Sequence, residues 1–340
     1  MDAPAQKLKA ATGQESASAN LERNGRRSEV RRRSWAALLG LSLLMFGHGS
    51  LAAADLAWVQ CESPWPGPIT GLCYGSNRFV AVGSLVALGT FQNSVFRGVA
   101  LTSETGERWQ SFGVPQDVML SAVAFGADTF VAVGQSGAIV SSPDGMGWNQ
   151  LVAGGRGHLY SVTYGKDRFV AVGYNGRITT QAADGSWIEA PKLGPSTLFR
   201  VCFAKDLFVA VGDRGTVLTS PNGTDWTVRR SGTQSLLTGV AFGGNQFLAV
   251  GDLGTVITSP DAVTWTVQKS GVKNFLYRVT PWGEGWLAVG DIGTILRSAD
   301  GGQWTRQALQ PPLFLLEVAR GGGSLVTAGE FGRIYQTKVR

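Results

Sequence analysis

The sequence is poor in the residues that build most catalytic centres. Its 340 residues include two histidines and three cysteines, and only 16% are charged. His48 lies in a segment read below as a removable leader, which leaves His158 alone in the remainder. A His-rich zinc site is thereby excluded, and a Ser-His-Asp triad could draw on one histidine only. Cys61, Cys73 and Cys202 form neither a Cys-x-x-Cys motif nor a disulfide framework, although Cys61 and Cys73 could pair. Glycine, by contrast, is abundant: 47 residues, roughly twice the usual 7%. No period of three accompanies it, so collagen is excluded and tight turns between short strands are indicated. With 44% apolar and 10% aromatic residues, most of the chain is expected to be ordered.

Residues 1–33 are polar and end in the basic run Arg31-Arg32-Arg33, followed by a run of 12 from Trp35 to Phe46 and by Ala52-Ala53-Ala54. A charged stretch, a short apolar core and small residues at a cleavage point read as a secretory signal over 1–54. A membrane span needs about 20 residues, so an uncleaved anchor is the weaker reading. Arg32-Arg33-Ser34-Trp35 resembles a twin-arginine signal, and an ordinary basic n-region fits as well. The expected location is periplasmic or secreted. Residues 55–340 carry 22 basic and 20 acidic side chains, a net of +2 against +6 for the whole chain. That balance gives no support for nucleic-acid binding.

Phe-Val-Ala-Val-Gly occurs at 79–83, 130–134, 169–173 and 208–212, and variants end at Gly251, Gly290 and Gly329. The glycine spacings are 51 and then 39 five times. A fixed period in this range means stacked supersecondary units. Trp58, Trp109, Trp148, Trp187, Trp226, Trp265 and Trp304 each precede one of these glycines by 25 residues. The last unit lacks its closing tryptophan segment, while Trp58 supplies a spare at the start. Pairing the two would close a ring and remove the open sheet edge. The reading is all-β: a seven-bladed propeller over 55–340, four strands per blade, with the Trp58 region completing the last blade. In the third blade the strands are expected at 159–164, 168–173, 177–181 and 187–189.

The turn before four of the tryptophans reads Ser142-Pro-Asp144-Gly145, Ser220-Pro-Asn222-Gly223, Ser259-Pro-Asp261-Ala262 and Ser298-Ala-Asp300-Gly301, while blade 1 has Glu104-Thr-Gly106 and blade 3 the shorter Asp184-Gly-Ser-Trp187. These turns resemble the Asp-box, or bacterial neuraminidase repeat, with one residue fewer between Ser and Trp. The even repeats and hairpins such as Gly212-Asp-Arg-Gly215 resemble the photosystem II stability and assembly factor family. That resemblance implies an exported seven-bladed scaffold without catalysis and without a cofactor or metal.

Three features fall on the propeller end that carries the turns between second and third strands. Blade 1 has 26 residues from Gly83 to Trp109 where other blades have 14, and the surplus lies in 84–96. Leu85, Leu88, Phe91 and Phe96 make this an apolar hairpin, either a docking element or a lid over the channel; Trp65 adds an aromatic near the seam. Second, Asp213, Asp252, Asp291 and Glu330 follow the repeat glycines of blades 4 to 7. They suit a cation or a basic partner, or else cap their own turns. Third, Arg200, Arg278 and Glu317 fall at the channel mouth beside Tyr160, Phe199 and Tyr277. The arginines suit an anionic group such as a peptide carboxylate, or else Arg278 pairs with Glu317.

Six blades have minimal turns, which leaves few loops for a catalytic pocket, so a binding scaffold for another envelope or secreted protein is favoured over an enzyme. The alternative is a glycan-acting protein, a lectin or a sialidase-like hydrolase. The latter would use Arg200, Arg278, Tyr277, Glu317 and Asp291, but sialidases have six blades and an Arg-Ile-Pro motif that is absent here.

Overall fold

Each repeat folds into one four-stranded antiparallel sheet, and seven such sheets are present among the described residues. The computed structural model describes residues 56–87, 95–115, 118–152 and 157–338. The first strand of every blade lies beside those of its two neighbours, and that of blade 7 lies beside that of blade 1. The protein is therefore an all-β seven-bladed propeller. The ring counts seven, not the six of a sialidase. In blade 3 the strands are Leu159–Gly165, Arg168–Gly173, Ile178–Gln181 and Trp187–Glu189, within one residue of expectation.

The second strands, such as Leu207–Gly212 and Gln246–Gly251, are almost wholly apolar because both their faces are covered. Phe79, Phe130, Phe208 and Phe247 are among the largest fully buried side chains. The core is thus a set of clusters between adjacent blades rather than one centre. One joins Val170, Val172 and Ile178 of blade 3 to Leu198, Phe208 and Trp226 of blade 4.

Ring closure follows the expected scheme. Val59–Gln60 pairs antiparallel with Ile334–Lys338, Val59 opposite Gln336 and Gln60 opposite Tyr335. Leu56 and Trp58 pack into the cluster between blades 6 and 7. The leader read over 1–54 lies outside the described residues. All three cysteines are free, so Cys61 and Cys73 do not pair. Cys61 packs into the cluster between blades 7 and 1, and Cys73 into that between blades 1 and 2. Burial pushes the Cys61 thiol up to about 11.

The tryptophan turns are held from within. Ser142 Oγ accepts from the Gly145 N–H at 2.8 Å, and Asp144 Oδ1 accepts from the N–H groups of Met146 (2.8 Å) and Gly147 (3.0 Å). Trp148 Nε1 donates to the Gly145 carbonyl at 3.0 Å. Asp261 and Asp300 repeat the pattern, and in blade 4 the Asn222 amide oxygen does the same work. The backbone N–H donors hold the Asp144, Asp261 and Asp300 carboxyls below the usual carboxylate range. Their stabilisation is full above the unfolded value of about 3.9 and is lost as pH falls through the lower folded value. We expect thermal melts to be flat from neutral pH to about 4 and to fall below it. Asp144→Asn/Asp261→Asn/Asp300→Asn should shrink that acid limb, as Asn222 shows that an amide closes the turn. An unchanged limb would place the titrating groups elsewhere.

Candidate functional site: the upper channel mouth

Every first strand opens with a bulge: pairing with the second strand shifts register between its first and third residues, as at Leu198/Arg200 and Leu276/Arg278. A bulge re-aims the side chains beside it. The second residues are Thr70, Ser121, Tyr160, Phe199, Thr238, Tyr277 and Leu316, and the third are Gly71, Ala122, Ser161, Arg200, Gly239, Arg278 and Glu317. Thr70 and Thr238 each donate through Oγ1 to the first carbonyl of the next blade, Leu120 O (2.6 Å) and Leu276 O (2.7 Å). These bonds tie blade to blade at the rim.

Arg200, Arg278 and Glu317 are brought together, more tightly than a single pair. Glu317 is fully buried, and its Oε1 accepts from Arg278 Nε at 2.7 Å and from Arg200 Nη1 at 3.2 Å. Blade 4 lies across the ring from blade 7, so Arg200 reaches over the channel. Arg278 is locked further, donating through Nη1 to Thr238 O (2.8 Å) and Tyr277 O (2.9 Å). Its pKa is lowered, chiefly by burial, with Glu317 opposing that effect. Arg200 keeps 24% of its side chain exposed against 14% for Arg278. The cluster has two positive charges to one negative, and Arg200 is its accessible, loosely held member. Cys73 and Cys202 are half-buried thiols; desolvation raises both, Cys202 to about 12.

The aromatic residues form two groups. Tyr160 sits 5.3 Å from Phe199 and stacks at 4.5 Å on His158. Tyr277 stacks at 4.7 Å on Phe275 and lies 6.5 Å from Phe314. His158, Phe275 and Phe314 were missed by the sequence reading, although they share one repeat column, the residue before each first strand. Ser121 was missed too: its Oγ lies 2.6 Å from His158 Nε2. Burial lowers the His158 pKa.

The acids of blades 4 to 7 do not cap their turns. Each turn closes through the acid's backbone: Asp252 N–H donates to Leu236 O and its carbonyl accepts from Thr255 N–H. Oδ1 of Asp213, Asp252 and Asp291 is buried without a hydrogen-bond partner, and Glu330 Oε2 accepts from Phe314 N–H at 3.3 Å. Among the described residues none of the four acids makes an ion pair, and no three His, Cys, Asp or Glu converge on a metal position.

In blade 1 the second and third strands, Arg78–Ala87 and Val95–Ser103, pair as far as Ala87 opposite Val95. The hairpin therefore extends as expected, with Leu85 half-buried. Leu88, Phe91 and the Phe96 side chain lie outside the described residues. Trp65 is half-buried against the cluster between blades 7 and 1.

No family model matches the chain, and no curated protein does. Solved structures match well in shape. YCF48 from Cyanidioschyzon merolae is 18% identical, covering 83% of this chain and 98% of its own, with a TM-score of 0.66. A structure described as YCF48 bound to D1 peptide is 16% identical, covering 85% and 97%, at a TM-score of 0.68. A catalytically inactive virginiamycin B lyase from Staphylococcus aureus, with quinupristin, is 11% identical, covering 84% and 100%, at 0.72. At such identities these likenesses establish the propeller fold and nothing finer, since one fold hosts binders and enzymes alike.

Proposed function

We propose that this protein is an exported, non-catalytic scaffold that binds another envelope or secreted protein through its upper face, seating an acidic or C-terminal carboxylate group at Arg200. The observation that carries this reading is the asymmetry of the arginine cluster. Arg278 holds Glu317 closely and is itself fixed by two carbonyls, so Glu317 keeps a partner when Arg200 turns to a ligand. Arg200 is partly exposed, on a 3.2 Å bond, and follows Phe199 in the strand, whose ring lies 5.3 Å from that of Tyr160 in the neighbouring blade. A structure described as YCF48 bound to D1 peptide shows a protein of this shape with a peptide. The blade 1 hairpin adds a second edge to the same face.

The test is a pair of peptides with one sequence, one ending in a free carboxylate and one amidated. The free acid is expected to bind more tightly, and Arg200→Ala to weaken it by about 10- to 100-fold, the worth of a charge-assisted hydrogen bond. Arg200→Ala leaves Glu317 paired with Arg278, so the fold is retained. Equal binding of acid and amide by the wild-type protein would refute the reading.

A further inference from the structure

The turns between second and third strands in blades 2 to 7 each place one non-glycine residue in the left-handed region, just before a left-handed glycine: Ser136, Asn175, Arg214, Leu253, Ile292 and Phe331. Polar residues fill this position in blades 2 to 4, as left-handed backbone favours. In blades 5 to 7 it is held by Leu253 (φ 52°), Ile292 (φ 51°) and Phe331 (φ 55°), which are 71%, 53% and 66% exposed. A β-branched residue there is a conformational outlier. Apolar residues exposed singly on the outer strands, such as Val228 and Val267, are ordinary. The three tips differ: they sit on consecutive blades, on strained backbone, each one residue after a carboxylate that its own turn does not use. The Phe275 and Phe314 carbonyls accept from the N–H groups of Asp291 and Glu330, which ties these turns to the strand starts that carry the Phe275–Tyr277 stack and Phe314, 41% exposed. The Tyr277 hydroxyl is pushed up by burial and then by the charges of Asp291 and Glu330, so both carboxylates are close to that ring.

We propose that the upper end of blades 5 to 7 is a docking surface for a basic, apolar peptide segment, with a Lys or Arg side chain seated between Asp291, Glu330 and the Tyr277 ring and large apolar residues lying on Ile292 and Phe331. Charge complementarity sets the occupant. Unpaired carboxylates beside aromatic faces attract a cation through both ion pairing and the ring quadrupole. The apolar tips then bury against neighbours that a free cation or a polar chain lacks. The inference rests on the reading that the upper face binds a protein, but it uses residues separate from Arg200. The mouth would then be two-sided, with an anion seat at Arg200 and a cation seat across blades 6 and 7.

The test uses two acetylated and amidated peptides, one alternating Leu with Arg and one alternating Leu with Gln, each titrated into the protein by calorimetry. The basic peptide is expected to bind about tenfold or more tightly than the neutral one, and less tightly in raised salt. Asp291→Asn/Glu330→Gln and Ile292→Asn/Phe331→Asn should each weaken it about tenfold or more. The second variant should melt no lower than the wild type, because Asn tolerates the left-handed backbone. Arg200→Ala should leave the basic peptide unaffected, since neither peptide carries a carboxylate of any kind. Equal binding of the two peptides, or basic binding that survives both double variants, would overturn the proposal. That result would leave the Arg200 reading standing, just as loss of free-acid discrimination would leave this one.

Discussion

Glu317→Ala is expected to cost about 3–5 kcal/mol of stability, far more than Arg200→Ala. Glu317 is fully buried and, among the described residues, is the only carboxylate bonded to either arginine. Removing it leaves Arg278, 14% exposed, as a buried cation facing the Arg200 charge, with only two carbonyls for partners. Desolvation of that unpaired charge dominates the loss. Arg200→Ala instead removes a partly exposed charge and one 3.2 Å bond, which is worth about 1 kcal/mol. Chemical denaturation of both variants measures the difference; equal losses would sink the argument. Glu317 Oε2 is also buried without a partner, so the carboxylate is imperfectly satisfied even in the native protein. Replacing all three residues with apolar ones is therefore expected to recover most of the loss while abolishing carboxylate binding.

The ring was legible from the chain because its signals are local and repeated. The 39-residue step, the tryptophans and the spare Trp58 segment each report on one supersecondary unit, and a sevenfold repetition averages out local ambiguity. The site was legible only by column. Arg200, Arg278 and Glu317 could be placed at equivalent first-strand positions, and an Arg278–Glu317 pair was foreseeable between adjacent blades. The Arg200 bond was not, because it joins residues 117 apart across the channel and depends on how wide the ring is. The role of the acids was half legible. Their position in the turn could be read, but whether backbone or carboxylate closes it is decided by the bulged strand start, whose free carbonyl takes the acid's own N–H. The Ser121–His158 contact was hidden because it replaces a bond. In blades 1 and 5 the hydroxyl at that position donates to the next blade's carbonyl, whereas in blade 2 a histidine intercepts it.

Gly251→Ala is expected to cost about 3–5 kcal/mol, although nothing in its backbone conformation demands glycine. Its φ is −169°, extended backbone that any residue adopts. The demand comes from outside: a Cβ there would lie 1.8 Å from the Leu236 carbonyl oxygen. Gly134, Gly173, Gly212, Gly290 and Gly329 face the corresponding carbonyls at 1.9–2.1 Å. The neighbour is backbone, not a side-chain end that can turn aside, so the strand start must move. That movement would break the 3.0 Å bond from Asp252 N–H to the same carbonyl and displace the acid and the Leu253 tip together. Gly113 is the control. It lies in an outer strand, where a Cβ would meet nothing within 4 Å, so Gly113→Ala should be neutral or stabilising by about 0.5 kcal/mol. Similar melts for the two variants would defeat the argument. The contrast divides the glycines by cause. Those at Gly145 and Gly176 serve left-handed turns, as composition suggested. The repeat glycines instead let each blade's upper turn dock onto the strand that lines the channel, which is what fixes the acids and the apolar tips around the mouth.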